Sequence, residues 1–398
     1  MNNIKEKIYD FLDSKEKEII EMRRYLHQHP ELSFEEFKTS EYIRKFYRDK
    51  DIEWLRYPVG LNGVAVKIKG KESGKTIAIR GDFDALPITE ETNLPYRSQN
   101  PGAMHACGHD AHTAILLGVA DALIKFRNEL SGDVVIIHQY AEETPPGGAK
   151  AMIADGVLDG VDAIIGGHVW TSYEPGEVSV LPGMAMAGRT YFKAVITGKG
   201  GHGSMPHCCI DPIVAASHFV VAAQSIVSRN IDPIDSAVVT FGRFEGLGSF
   251  NVIPGSVTLE GDIRDGSKKV SQTIEKRFRE MLQGIAAAYG CAADLIYERD
   301  YPPVINDSGL VSFAERFIQS GSILKLHQGK ITMGSEDFSY YQQKIPGLYV
   351  FFGAKPAGEL YLPHHPKFDI NEGCLLDIAK FYAGFAASFL EGDLDDMG

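Results

Sequence analysis

Apolar residues recur at every third or fourth position over residues 4–28, and this spacing predicts one amphipathic helix that ends near the His29-Pro30 pair. Short apolar runs bounded by polar or glycine-rich residues follow it, and such runs are typical of buried strands in an α/β sheet. The predicted strands are 76–79, 134–137, 163–165 and 348–352. The helices predicted to cover the faces of this sheet are 113–126, 147–154, 309–319 and 371–390.

The middle of the chain has a different pattern, in which strands and helices follow one another as β-α-β-β-α-β. In chain order these elements are 190–196, 211–229, 237–244, 256–264, 268–289 and 294–298. This order is that of the split βαβ unit of a ferredoxin-like domain. We therefore expect an inserted α+β domain at 187–301 and a discontinuous α/β domain formed by 1–186 plus 302–398. A length of 398 residues also favours two domains, because a single core stops growing at roughly 250–300 residues.

Composition excludes several classes of protein. The net charge is −13, from 40 Lys+Arg against 53 Asp+Glu, whereas nucleic-acid binding depends on clustered positive charge. The N-terminus lacks the apolar core of a signal peptide, and the chain contains no apolar stretch of the roughly eighteen residues that a membrane span needs. The five cysteines have irregular spacing, unlike a secreted disulfide framework. We predict a cytoplasmic protein that binds neither nucleic acid nor membrane.

Carboxylate and imidazole side chains follow three of the predicted strands. Asp82 and Asp84 follow the first strand, Glu142 and Glu143 the second, and His168 the third. Ligands of open α/β sheets bind outside the carboxyl ends of the strands, so these side chains are expected to converge at one edge. Any one of them alone is more often structural, as a turn former or a solvated charge. Their convergence indicates a shared site.

A cysteine and further histidines add ligands to this edge. Cys107 and His109 lie in the segment 104–113, and a His-His pair occupies 364–365. Thiolate, imidazole and carboxylate together suit zinc or another late divalent transition metal, whereas magnesium and calcium prefer oxygen alone. The Cys-x-His spacing is not that of a structural zinc finger, which favours an open catalytic site. The alternative makes Cys107 a nucleophile with a histidine base, but it leaves the paired glutamates and His168 without a function.

At these positions the sequence resembles the M20 metallopeptidase family, in particular its subfamily of aminoacylases, hippurate hydrolases and auxin-conjugate hydrolases. The resemblance covers nearly the whole chain. It rests on Gly-Asp-Phe-Asp-Ala-Leu-Pro (81–87), Met-His-Ala-Cys-Gly-His-Asp-x-His-Thr (104–113), Ala-Glu-Glu (141–143), Gly-Lys-Gly-Gly-His-Gly-Ser-x-Pro-His (198–207) and His-His-Pro-Lys-Phe-Asp (364–369). The resemblance implies a mixed-sheet, zinc-peptidase-like catalytic domain with an inserted ferredoxin-like lid and dimerisation domain.

Carried over position by position, the resemblance implies two divalent metal ions per subunit. Zinc is the expected metal, and manganese, cobalt or nickel are alternatives. The implied ligands are Cys107, His109, Glu143, His168 and His364. Cys107 would bridge the two ions, where other branches of the family have an aspartate. Glu142 would be the general base, and Asp84 would orient a ligand histidine.

The inserted domain resembles the lid and dimerisation domain of the family. The resemblance implies that His202 stabilises the oxyanion, and that Asn251 and Arg264 bind the substrate carboxylate. The structural alternatives are a capping His202, an Asn251 in a turn and an Arg264 in a surface ion pair. A homodimer formed through this domain is expected, with a tetramer as the alternative.

The sequence therefore predicts a metal-dependent hydrolase that cleaves the amide bond of N-acyl-L-amino acids with a metal-activated water. Within the same chemistry, the alternatives are a dipeptidase or carboxypeptidase, or an N-acetyl-diaminopimelate deacetylase. A non-catalytic binding protein on the same fold is the alternative from another class, and it would typically lack a ligand or the base. All five ligand positions and Glu142 are filled in this chain.

Overall fold

A computed structural model describes residues 4–55, 60–321 and 323–392 of the chain. The contacts within the chain divide it into two units. Unit 1 comprises the described residues of Met1–Ala185, Ile305–Lys330 and Asp337–Gly398. Unit 2 comprises Met186–Val304 and Ile331–Glu336.

The elements are numbered in chain order. The α-helices of the described residues are α1 Ile4–Asp13, α2 Glu16–Gln28, α3 Phe37–Tyr47, α4 His109–Lys125, α5 Ala149–Ala154, α6 Pro212–Asn230, α7 Lys268–Ala288, α8 Ser308–Gln319, α9 Ser339–Gln342 and α10 Cys374–Leu390. The strands are β1 Glu53–Trp54, β2 Val64–Ile68, β3 Thr76–Asp82, β4 Asp133–Gln139, β5 Ala163–Trp170, β6 Glu177–Val180, β7 Gly183–Met186, β8 Gly188–Thr197, β9 Gly201–His202, β10 Ala237–Glu245, β11 Val252–Ile253, β12 Ser256–Asp265, β13 Ala292–Tyr301, β14 Val304–Asn306, β15 Lys325–Leu326 and β16 Gly347–Gly353.

Unit 1 is built on an eight-stranded mixed sheet with the order β1-β2-β4-β3-β5-β16-β6-β15. Strands β4, β3, β5 and β16 run parallel to one another, whereas β2 pairs antiparallel with β4, and β6 pairs antiparallel with β16 and parallel with β15. The central strands are buried on both faces, as their continuous apolar runs predict. The predicted mixed α/β fold is thus confirmed, and the parallel strands bring their carboxyl ends to one edge.

The four predicted strands of this sheet extend further than their apolar runs. Polar residues continue the ladder, since Arg80 pairs with Ile137 and Asp82 with Gln139 in the β3–β4 register. The strands can continue through these polar residues because a polar side chain is tolerated inside a buried sheet when other buried groups form hydrogen bonds with it. Sequence periodicity therefore located each strand but underestimated its length.

The predicted single helix over 4–28 is wrong, because the chain forms two helices, α1 and α2, separated by Ser14 and Lys15. The Ser14 hydroxyl donates a hydrogen bond to the carbonyl of Phe11 at 2.6 Å, so this side chain bonds to the preceding turn. Both helices bury apolar side chains, such as Leu12 and Ile19, which is why the apolar spacing continues through the break. Helix α3 was not among the predicted elements.

Unit 2 contains a four-stranded antiparallel sheet with the order β10-β12-β8-β13. With helices α6 and α7, its chain order is β-α-β-β-α-β, and every predicted element is present to within four residues. Alternate residues of β8 are buried, so one face of the sheet packs on the helices. The rings of Phe192, Phe219 and Phe278 form the centre of this core. The ring centroid of Phe278 lies 4.7 Å from that of Phe192 and 5.0 Å from that of Phe219.

Local capping fixes where the two helices of unit 2 begin. The Asp211 carboxylate accepts a hydrogen bond from the backbone N–H of Ile213, and Ser267 Oγ accepts one from Val270. These bonds satisfy N–H groups that have no partner within a helix. Across the described residues of both units, helices that are long and apolar enough to span a membrane are absent.

Candidate metal centre

Three parallel strands of unit 1 deliver acidic and imidazole side chains to one edge of the sheet. Strand β3 ends at Asp82 and is followed by Asp84, while Glu142 and Glu143 lie just beyond the end of β4. His168 lies inside β5, opposite Phe351 of β16, and does not follow the strand as its apolar run predicted. The buried environment of β5 therefore surrounds this imidazole.

Cys107 and His109 reach the same edge from the N-terminus of α4. Gly108 between them has φ +92°, a conformation that glycine adopts without steric cost. A Cβ atom at Gly108 would lie 2.4 Å from Cγ2 of Val169, so this loop packs directly against β5. As a result, Cys107 Sγ lies 3.2 Å from Nε2 of His168.

The candidate ligands form two groups that share one side chain. Sγ of Cys107 and one imidazole nitrogen each of His109 and His168 lie within 4.8 Å of one another. Cys107 also belongs to a second group of the same size, with Glu143 and His364. Glu142 lies within the same distance of His109 and Glu143 in a third group. All six side chains that the sequence assigned to ligands and base thus converge in unit 1.

Two buried atoms in this cluster have no hydrogen-bond partner among the described residues, namely Nε2 of His109 and Oε1 of Glu143. They face each other at 3.9 Å. Buried polar atoms are rarely left unpaired, and an imidazole nitrogen and a carboxylate oxygen in this position are suited to bind a cation. A thiol, imidazoles and a carboxylate are the donors that late divalent transition metals prefer. The residues present therefore fit divalent metal ions.

Asp84 orients both sides of this orphaned pair. Its Oδ1 lies 3.1 Å from Nδ1 of His109, so the other ring nitrogen faces the cluster. Its Oδ2 accepts hydrogen bonds from the backbone N–H of Glu143 at 2.9 Å and from the Ser33 hydroxyl at 2.7 Å. A carboxylate that fixes a ligand histidine in this way is a common companion of metal sites.

The electrostatic environment of the cluster favours a cation. Burial raises the pKa of the Cys107 thiol, and the carboxylates of Glu143 and Glu142 raise it further. Burial lowers the pKa of His109, but the nearby carboxylates of Asp82 and Asp84 outweigh this effect and raise it to about 10. This concentration of negative charge stabilises any positive charge placed between these side chains.

The two histidines of the 364–365 pair differ in their environment. His364, with φ +70°, donates its backbone N–H to the carbonyl of Ala106, and its Nε2 lies 3.3 Å from Oε1 of Glu143. Both side chains are exposed, but the ring of His365 stacks on Tyr361 with centroids 4.4 Å apart. The structure thus brings His364, and not His365, to the cluster.

A buried network of hydrogen bonds lies next to the cluster and was not predicted from the sequence. Asp82 accepts hydrogen bonds from the guanidinium of Arg80 at 2.6 Å and lies 2.6 Å from Nδ1 of His112. The opposite ring nitrogen of His112 accepts the backbone N–H of Val169 at 3.0 Å. His112 occurs in the motif at 104–113, but only its spatial neighbours show that it joins β3 to β5.

The remaining predicted site residues lie in unit 2. His202 is exposed on β9 and pairs with Val252 of β11, next to Asn251, whose carbonyl accepts the N–H of Gly203 at 2.8 Å. His202 and Asn251 are therefore neighbours. Arg264 lies on β12, where its Nε donates to Asp262 at 2.6 Å and its Nη1 donates to the carbonyl of Met333 at 3.2 Å.

Comparison with known proteins matches the chain to one family along most of its length. The model described as Peptidase family M20/M25/M40 matches residues 78–388. The chain is 40% identical over 382 residues to N-acetyl-L-cysteine deacetylase of Bacillus subtilis (strain 168), covering 96% of this chain and 90% of that protein. It is 42% identical over 381 residues to IAA-amino acid hydrolase ILR1-like 4 of Arabidopsis thaliana, covering 94% of this chain and 86% of that protein.

A solved structure with the same fold is similar over nearly the whole chain. The YXEP protein of Bacillus subtilis, described as a dinuclear metal binding peptidase from the M20 family, superposes with a TM-score of 0.84. The two chains are 38% identical, and the match covers 95% of this chain and 99% of the other. With the two ligand groups that share Cys107, this neighbour supports the binding of two divalent metal ions.

Proposed function

The chain belongs to peptidase family M20/M25/M40 and is a metal-dependent amidohydrolase, and from this premise we propose that it hydrolyses the amide bond of N-acyl-L-amino acids. The observation that carries the proposal is the position of Glu142 beside His109 and Glu143, next to two groups of candidate metal ligands. Two of the relatives are named as an N-acetyl-L-cysteine deacetylase and an IAA-amino acid hydrolase. Both names describe a substrate in which an acyl group is attached to an amino acid, which supports this substrate class.

The proposed metal ligands are Cys107, His109, Glu143, His168 and His364. Cys107 would contribute to both ions because it belongs to both ligand groups. Zinc is the proposed metal, since a thiolate is among the ligands, and manganese, cobalt or nickel are the alternatives. Two such cations, when bound, supply Lewis acidity that activates water and polarises the substrate carbonyl.

Glu142 is proposed to move the proton. The residue is almost completely buried, at 7% exposure, so bulk water does not compete strongly for its carboxylate. It would accept a proton from the attacking water while the water oxygen bonds to the amide carbon. It would then deliver that proton to the nitrogen as the C–N bond breaks, which releases the free amino acid and a carboxylic acid that loses its remaining proton to the solvent at neutral pH.

His202 is proposed to stabilise the oxyanion. Both the backbone N–H and the hydroxyl of Ser204 lie within hydrogen-bond distance of His202 Nδ1, at 3.2 and 2.8 Å. Because a backbone N–H can only donate, Nδ1 is an acceptor, and the neutral ring carries its proton on Nε2. That Nε2–H is the type of donor that an oxyanion requires.

Asn251 and Arg264 remain the proposed contacts of the substrate carboxylate. Arg264 is already paired with Asp262, so a substrate would have to share or displace that partner. Unit 2 is further proposed to act as a lid and to form a homodimer, and a cytoplasmic location stays a prediction.

The test is a substrate panel assayed with the metal retained on the protein. The panel contains N-acetyl and N-benzoyl amino acids, the corresponding carboxamides, simple dipeptides and N-acetyl-diaminopimelate. We expect turnover of the N-acyl amino acids and little turnover of their carboxamides, which lack the carboxylate. Preference for dipeptides would point to a dipeptidase or carboxypeptidase, and preference for N-acetyl-diaminopimelate would point to that deacetylase.

Glu142→Gln separates an enzyme from a binding protein. It should lower kcat by about 10²–10⁴-fold, the usual contribution of a general base, while two metal ions remain bound. Glu35→Gln, at an exposed glutamate, is the control and should match the wild type. No turnover across the panel by the metal-loaded wild type would contradict the proposed function.

A further inference from the structure

The residue before Glu142 has an unusual backbone conformation. Ala141 has φ +51° and is completely buried. L-amino acids other than glycine seldom adopt this left-handed conformation, because Cβ crowds the backbone. Other contacts must therefore hold Ala141, and its conformation sets the direction in which Glu142 leaves strand β4.

Glu36 makes the contact that holds Ala141. Its Oε1 accepts the backbone N–H of Ala141 at 2.8 Å, and Glu36 is completely buried at the start of α3. Its second oxygen accepts a hydrogen bond from Nδ2 of Asn62 at 3.0 Å, and the same amide donates to the carbonyl of Phe34 at 3.2 Å. The carboxyl group is thus fixed from both sides.

Burial of Glu36 is costly unless its hydrogen bonds are kept. Burial raises its pKa to about 7, and the nearby Asp84 carboxylate contributes in the same direction. In either protonation state, one oxygen can still accept the N–H of Ala141. The contact with Ala141 therefore does not depend on the charge of Glu36.

The same segment of chain reaches the other side of Glu142. Ser33 donates to Oδ2 of Asp84, and that oxygen also accepts the backbone N–H of Glu143. Residues 33–36 thus hold the backbone N–H groups of the residues before and after Glu142, that of Ala141 directly through Glu36 and that of Glu143 through Asp84. A non-glycine left-handed residue held in this way, directly before a proposed catalytic residue, indicates a positioning function.

We propose that Glu36 is a positioning residue for Glu142, acting through the N–H of Ala141 and the left-handed backbone that this bond stabilises. The inference rests on the proposed function of Glu142 as the base. Glu36 does not itself touch the reacting atoms in this proposal.

The experiment measures kcat and KM for N-acetyl-L-methionine, together with bound metal and thermal stability, in Glu36→Met and Glu36→Gln. Methionine has a similar length, but its thioether is only a weak acceptor for the N–H of Ala141. We expect Glu36→Met to lower kcat by about 10–100-fold, as loss of a supporting hydrogen bond at a metal site typically does, with two ions still bound. KM should change by less than about threefold, because the change acts on the chemical step.

Ala141→Gly provides the rescue. Glycine adopts positive φ without steric cost, so the backbone then needs less support from Glu36. In the Ala141→Gly background, the loss of kcat caused by Glu36→Met should shrink to about threefold or less. A purely structural effect of Glu36 on unit 1 would not be rescued in this way.

Glu31→Gln is the matched control. Glu31 lies two residues before this segment, but its carboxylate accepts the N–H and hydroxyl of Thr39 at 2.8 and 2.9 Å. This variant should lose stability while its kcat stays within about twofold of the wild type. An equal loss of kcat in Glu31→Gln and Glu36→Met would overturn the inference, as would the absence of rescue by Ala141→Gly.

Glu36→Gln keeps the test decisive if Glu36→Met does not fold. Glutamine keeps one acceptor oxygen, which can still bind the N–H of Ala141 while Asn62 loses its partner, so we expect a loss of stability with kcat within about threefold of the wild type. A fall of kcat by more than about tenfold in Glu36→Gln would then overturn the inference. Glu142→Gln in the same assay separates the two proposals: if it alone is inactive, only the positioning inference fails, and if it is active, the proposed function fails.

Discussion

Cys107 Sγ lies 3.2 Å from His168 Nε2, although the two residues are 61 positions apart in the chain. One is carried by the loop before α4 and the other by β5, and the close packing of Gly108 on Val169 joins these elements. The thiol also belongs to the group that contains Glu143 and His364. Cys107 is therefore the side chain on which both candidate metal sites depend.

Substitution of Cys107 should affect both ions together. Loss of a residue that supports a metal ligand typically weakens metal binding by about 10–100-fold. Cys107→Ala removes a proposed ligand itself, so it should weaken binding by more than this, and the number of metal ions per chain should fall below two. Cys107→Asp should retain two ions but shift the preference from zinc toward manganese, because oxygen replaces the soft thiolate. Elemental analysis and competition titrations measure both effects. Cys291→Ala, at a buried cysteine in unit 2, is the control.

The adjacent histidines 364 and 365 provide a matched pair. His364→Ala should lower the affinity for one ion and reduce kcat by at least about 100-fold, since it removes the imidazole that lies beside Glu143. His365→Ala removes a ring that stacks on Tyr361 and should leave metal content unchanged. Equal effects of the two substitutions on metal content would show that the 3.3 Å approach of His364 to Glu143 has no functional meaning.

His202→Ala should lower kcat by about 10²–10³-fold, the usual cost of removing one oxyanion donor. KM should change little, because the oxyanion exists only after attack on the carbonyl. His207→Ala, at another exposed histidine of the same loop, should keep wild-type activity. Steady-state kinetics with the best N-acyl amino acid substrate compares the two variants. A wild-type kcat for His202→Ala would exclude the oxyanion function.

A buried histidine away from the cluster should make stability depend on pH. Burial lowers the pKa of His138 to about 3, and its Nε2 lies 2.9 Å from the Tyr47 hydroxyl. An unfolded histidine titrates near pH 6.5, so below that pH the unfolded state binds a proton that the folded state does not. The free energy of unfolding should therefore fall as pH decreases from about 6.5 to 3, by up to about 1.4 kcal/mol per pH unit from this residue.

His138→Gln is neutral across this range and isolates that contribution. Urea unfolding at several pH values should give a shallower dependence for His138→Gln than for the wild type, whatever the absolute stability of the variant. Parallel curves for the two proteins would mean that His138 charges in the folded state. Tyr47→Phe should lower stability at every pH without removing the dependence, because the histidine stays buried.

Among the elements, those with regular patterns were predictable from the sequence. The β-α-β-β-α-β order of unit 2 follows from its clear periodicity, and the buried runs gave the central strands of unit 1. The break at Ser14 was missed, because both flanking helices bury apolar side chains and the apolar spacing does not change there. Strand β5 was predicted to end before His168, because composition does not show which polar residues find buried partners.

The sequence by itself determined the family and the types of ligand, because the thiol, imidazoles and carboxylates stand at motif positions that can be recognised one by one. Only the tertiary structure decided which atoms meet: Sγ of Cys107 beside Nε2 of His168, and Glu36 on the N–H of Ala141. The physical reason is that a local pattern reports which side chains are buried, whereas contacts between residues far apart in the chain depend on how strands and loops pack. Glu36 has no local pattern that distinguishes it from its exposed neighbour Glu35, and only folding separates the two.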